Sequence, residues 1–93
     1  MNSIVINYDP FGIESQVLVT KEGSTIRKTY CKSELAALAD FVVKAAHEHG
    51  ISRVYARAPQ AFYDELNRLA QAAQERLFGL SDNPNENIVL ERV

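Results

Sequence analysis

Apolar and polar residues alternate in short bursts over the first third of the chain. They then recur at three- and four-residue spacing, so strands are expected first and helices afterwards. Residues 3–8, Ser-Ile-Val-Ile-Asn-Tyr, form a β-prone run. Asp9-Pro10-Phe11-Gly12 interrupts it with turn chemistry, since proline fixes φ and glycine tolerates positive φ. Residues 14–21 alternate loosely around Val17 and Val19, Lys21-Glu22-Gly23-Ser24 reads as a tight polar turn, and residues 25–31 give a third strand. Short turns between three strands predict an antiparallel meander.

The spacing then changes. Leu35, Leu38, Val42 and Ala45 predict a helix with Ser33 as N-cap, Glu34 in its electropositive first turn and Gly50 closing it. Residues 51–57 form a fourth strand. A second helix opens at Pro59 and carries the stripe Phe62, Leu66, Leu69, Ala73 and Leu77, with Gly79 after it. Ser81-Asp82-Asn83-Pro84-Asn85 is a polar loop, and Ile88-Val89-Leu90 belongs to a last strand. The expected fold is therefore α/β: a mixed five-stranded sheet with two helices in the order β-β-β-α-β-α-β, one domain over residues 1–93. Right-handed crossovers would lay both helices on one face of the sheet and leave the other face uncovered.

Composition narrows the classes. A net charge of −2 lacks the basic excess through which proteins neutralise phosphates, which disfavours nucleic acid without excluding a local basic patch. No apolar run reaches the roughly 20 residues that span a bilayer, and the start of the sequence lacks a basic head followed by an apolar stretch. A lone Cys31 forms no internal disulfide. A cytoplasmic protein with no membrane association is expected.

The order of elements resembles the ribonuclease H-like fold over nearly the whole chain. The segment Ile6-Asn7-Tyr8-Asp9-Pro10-Phe11-Gly12 is similar to that family's first strand, which ends near a metal-binding aspartate. Lys32-Ser33-Glu34-Leu35-Ala36-Ala37-Leu38 is similar to its first helix, which carries a glutamate in an Ala-Glu-Leu context. The resemblance implies a nuclease or related phosphotransferase using Mg²⁺ or Mn²⁺ held by Asp9 and Glu34. It also implies a third acid at the end of the fourth strand, where this chain has Tyr55-Ala56-Arg57-Ala58-Pro59-Gln60, and a fourth on a helix after the fifth strand, which this sequence ends without reaching. Two-metal phosphodiester cleavage needs several carboxylates around ions about 4 Å apart. Two acids beside Arg57 do not meet that need. The competing reading makes Asp9 a turn residue and Glu34 a helix-dipole complement. A second likeness, Ala45 to Tyr55 followed by a Leu- and Ala-rich helix, is to the core of certain small ribosomal proteins, which bind RNA without catalysis but are strongly basic.

Other residues add less. His47 and His49 lie two apart on a helix and point about 200° away from each other, so they read as solvent-facing residues of a last turn. Cys31 stands beside Lys32, whose ammonium would lower the thiol pKa, but nothing pairs it with a base, and it reads as a packing residue. The polar back of the second helix, Asp64, Asn67, Gln71, Gln74 and Glu75, reads as a solvated face. The fourth strand says more. Its alternation puts Val54 and Ala56 on one face and Arg53, Tyr55 and Arg57 on the other, a stripe about 13 Å long at roughly 3.3 Å per residue. Arginine and tyrosine are enriched where surfaces meet partners. The alternative is a solvated face whose arginines pair with neighbours such as Glu91. The expectation is a non-catalytic interaction module without cofactor, whose uncovered face around Arg53, Tyr55 and Arg57 binds a protein partner or a second copy in a dimer. Metal-dependent nuclease activity and non-catalytic nucleic-acid binding stand as the alternatives.

Overall fold

The computed structural model describes residues 2–12, 14–21, 23–79 and 87–93. The alternating segments become β1 (Ser3–Tyr8), β2 (Glu14–Lys21) and β3 (Ser24–Cys31). A single 3-10 turn, Lys32–Glu34, leads into α1 (Leu35–Glu48), and β4 (Arg53–Arg57), α2 (Gln60–Phe78) and β5 (Val89–Arg92) follow. The strands form one mixed sheet in the order β3-β2-β1-β4-β5. β1 pairs antiparallel with β2 and parallel with β4, while β2–β3 is antiparallel and β4–β5 parallel. The fold is the expected α/β arrangement, and among the described residues no helix is long and apolar enough to cross a membrane.

The pleat sorts each strand between two faces. Ile4, Ile6, Val17, Val19, Val54, Ala56 and Leu90 are buried, whereas Val5, Leu18, Tyr55 and Val89, which point the other way, are not. Both helices therefore pack on the same face. From α1 come Leu38, Ala39, Val42, Val43 and Ala46, and from α2 Leu66, Ala70 and Ala73. The alanines on both stripes let the helices approach each other as well as the sheet. Arg76 of α2 pairs with Asp40 of α1, and His47 stacks on Phe78 with ring centroids 4.0 Å apart.

The limits of several elements differ from expectation for local reasons. Ser33 is not the N-cap, because the chain enters α1 through the 3-10 turn and Glu34 Oε1 accepts the Cys31 N–H at 3.0 Å. Gly50 ends α1 with φ +66°, as the pattern required. Ile51 and Ser52 are outside β4 because the Ile51 N–H still bonds back to Ala46 of α1, at 2.8 Å. Residues 81–85, read as a polar loop, lie outside the described residues, as does Glu22 of the polar turn before β3.

The polar back of α2 is not wholly a solvated face. Gln74 is only 4 % exposed. Its Oε1 accepts the Ile88 N–H at 2.9 Å and its Nε2 donates to Asn87 Oδ1 at 3.0 Å, while Gln71 Nε2 donates to the Ile88 carbonyl at 3.3 Å. Tyr63 Oη donates to the Leu90 carbonyl at 2.7 Å. These side chains satisfy backbone groups at the start of β5 and pin that four-residue edge strand against α2.

Ser15, in the core side of β2, is buried and its hydroxyl finds no partner among the described residues. A buried unpaired hydroxyl costs free energy that an apolar group of similar size does not. Ser15→Ala is expected to raise stability by up to about 1 kcal/mol, read as a higher urea midpoint at unchanged slope. A lower midpoint would show that the hydroxyl is bonded in solution.

Candidate functional site

The face of the sheet opposite the helices is built by register. Leu18 of β2 and Tyr55 of β4 flank Val5 of β1, Arg27 of β3 pairs with Leu18, and Glu91 of β5 pairs with Tyr55. One row therefore crosses all five strands as Arg27–Leu18–Val5–Tyr55–Glu91. On one side of it lies Thr29–Gln16–Asn7–Arg57, and on the other Thr25, Thr20 and Ser3 with Arg53 and Val89. Tyr55 is 37 % exposed, in the middle of a sheet where a covered position would be buried. The face thus has a half-buried apolar centre, three arginines and two carboxylates, Glu91 on the β5 edge and Glu14 at the start of β2.

Arg53, Tyr55 and Arg57 share this face, as the alternation of β4 required. Arg53 forms an ion pair with Glu91. Arg57 and Arg27 make no ion pair or hydrogen bond among the described residues, so their guanidinium groups are available to something outside the chain. Below Arg53 the face opens into a groove of about 510 Å³, lined by Ser3, His49, Ser52, Arg53 and Tyr55 among others. His49 faces this groove while His47 is engaged with Phe78, so the two imidazoles serve different surroundings.

Asp9 and Glu34 lie elsewhere, where β1 ends and α1 begins. Asp9 Oδ1 accepts the Phe11 N–H at 2.9 Å, which closes an Asx turn. An added Cβ on Gly12 would lie 2.6 Å from Asp9 Oδ2, so a larger residue there would require that carboxylate to shift. Glu34 is occupied by the Cys31 N–H. Lys32 occupies this end of the sheet: its ammonium donates to the carbonyls of Asp9 and Gly12 and sits 4.1 Å from the centre of the Tyr8 ring. The cation expected beside Cys31 is thus turned away from the thiol. The Cys31 pKa is raised, first by its hydrogen bond with Glu34, then by desolvation and by the charges of Glu34 and Glu14. Glu34→Ala removes the largest of these causes together with the charge of Glu34, so it should speed alkylation of Cys31 by iodoacetamide near pH 7.5, because the thiolate is the nucleophile. An unchanged rate would show that Glu34 does not hold the thiol protonated.

Among the described residues no three His, Cys, Asp or Glu side chains gather where they would hold a metal. Arg27, Leu18 and Val5, absent from the sequence reading of the site, belong to it through strand order. Alternation in β2 and β3 assigns their faces, but only the order β3-β2-β1-β4-β5 brings them beside Tyr55. No protein-family model matches the chain, and no curated protein matches it in sequence.

Proposed function

We propose that the chain is a non-catalytic recognition module that binds a protein surface through the open face of its sheet, on a scaffold that reuses the ribonuclease H-like order of elements. The observation that carries this reading is the central row, where exposed Tyr55 stands beside half-buried Val5 and Leu18 between charged ends. Uncovered aromatic and apolar groups flanked by arginines are the composition of an interface core with a polar rim. The net charge of −2 favours a protein partner over a phosphate backbone.

The placement of Lys32 supports the non-catalytic reading. Its ammonium sits at the Asp9 turn, where it would repel a divalent ion, and each candidate carboxylate already accepts a backbone N–H. Millimolar Mn²⁺ is accordingly expected to leave the melting temperature unchanged in the native protein and in Asp9→Asn alike. A Mn²⁺-dependent rise that Asp9→Asn abolishes would restore the enzymatic reading.

Recognition is tested by placing a photo-crosslinking amino acid at Leu18 and, as a control, at Lys44 on the exposed side of α1, in the full chain inside the producing cell. The proposal expects discrete protein adducts from Leu18 and none from Lys44. Absence of adducts at Leu18, equal labelling from both positions, or adducts with nucleic acid alone would each overturn it.

A further inference from the structure

The open face carries its own complement. Take the row Arg27–Leu18–Val5–Tyr55–Glu91 and lay a second copy face to face, related by a two-fold axis that runs parallel to the strands between the sheets. The axis reverses the order of strands and preserves the position along them. Val5 then lies over its own counterpart, Leu18 over the second copy's Tyr55, and Arg27 over its Glu91, with each heterologous contact made twice. Arg57 falls over Gln16 of the copy and Arg53 over Thr20, both neutral. The other in-plane axis, perpendicular to the strands, sets Arg27 against Arg27, Glu91 against Glu91 and Arg53 against Arg57. Like charges in direct opposition disfavour that arrangement.

We infer that the occupant of the open face is a second copy of this chain, held as a face-to-face dimer about a two-fold axis parallel to the strands. This inference rests on the recognition reading above and names its partner. Aligned sheets pack about 10 Å apart with their strands crossing at roughly 30°. At Arg27, two strand spacings from the centre, that rotation displaces the opposing residue by about 5 Å, within the reach of an arginine side chain. Glu91 already pairs with Arg53, so the incoming Arg27 completes a cluster of one carboxylate between two guanidinium groups.

Charge also argues against the other easy route to self-association. β3 is an edge strand of eight residues, and its exposed backbone is a template for another strand. Two-fold antiparallel pairing centred on Arg27 opposes the two copies of Arg27, and pairing centred on Lys28 opposes the two copies of Lys28. These are the registers that use most of the strand, and both are disfavoured by repulsion.

Five strands at about 4.8 Å and five residues at about 3.3 Å give a footprint near 400 Å² per copy. A standard stable interface buries about 800 Å² per partner, so the dimer is expected to be weak, with a dissociation constant in the micromolar range or above. Sedimentation velocity on the purified full chain from about 10 µM to about 1 mM should show a monomer passing to a dimer. Arg27→Glu and Glu91→Arg should each weaken dimerisation at least about tenfold, since each change counts twice, and the double variant should recover to within about threefold of the native value. Both residues are on the surface, and thermal melts establish that the variants are folded. A strictly monomeric native protein, single reversals without effect, or a double variant that does not recover would overturn the dimer. If the protein is monomeric while Leu18 still crosslinks to a different protein, self-pairing fails and recognition stands. If Leu18 crosslinks to nothing, both fail.

Discussion

Ile6→Ala is expected to destabilise the protein by roughly 2–5 kcal/mol, while Val5→Thr, one residue earlier on the same strand, changes stability by less than about 1 kcal/mol. Ile6 is fully buried on the helix side of the central strand, between Val17 and Ala56. Removing its methyl groups loses their transfer free energy and leaves a cavity among neighbours held by both helices. Val5 points to the open face, where threonine keeps the β-branched shape the strand favours and adds only a hydroxyl that water can reach. In a domain of this size each 1 kcal/mol moves the melting temperature by about 4–8 °C, so the two variants separate clearly by thermal or urea denaturation. Equal losses from both would mean that the face opposite the helices is covered within the single chain.

Gln74→Leu is the second large effect, and it falls on a residue whose sequence neighbourhood reads as solvated. The substitution keeps the bulk of the side chain and removes the acceptor for the Ile88 N–H, which is buried. Leaving such a donor unpaired costs roughly 1–3 kcal/mol. The consequence should be local as well as global. Hydrogen exchange at the Ile88 amide should accelerate in the variant by more than exchange at Ile6, because β5 is an edge strand held by few side chains of α2. Uniform acceleration at both amides would show that Gln74 contributes only to the core.

The strands and helices were legible because each obeys one period. β1, β2 and β4 alternate, and Leu38, Val42 and Ala45 recur on one side of α1, so their buried faces follow from spacing alone. The 3-10 turn at Lys32–Glu34 was not legible, since Ser33 offers a hydroxyl in the position of a cap and nothing local shows that Glu34 bonds backwards to Cys31. Gln74 was misread because amide side chains on a helix back are usually wet. Its burial depends on where residues 87–88 return, which is a tertiary fact. The same holds for the candidate surface. The Arg53-Tyr55-Arg57 stripe is local to one strand, whereas the joining of Arg27, Leu18 and Val5 to it depends on long-range pairing that alternation does not specify. Lys32 shows the opposite error: adjacency in sequence to Cys31 suggested a low thiol pKa, but its side chain turns to the carbonyls of Asp9 and Gly12 and leaves Glu34 to act on the thiol.

Covering of Tyr55 in the cell tests the recognition claim most directly, whether the occupant is a second copy or another protein. Hydroxyl-radical labelling can compare Tyr55 with Phe11, a 98 % exposed side chain in the turn after β1, in dilute purified protein and in intact producing cells. The open-face account predicts that the Tyr55-to-Phe11 labelling ratio falls several-fold in cells. An equal ratio in the two settings would contradict it, for it would mean that nothing covers the sheet where the protein works.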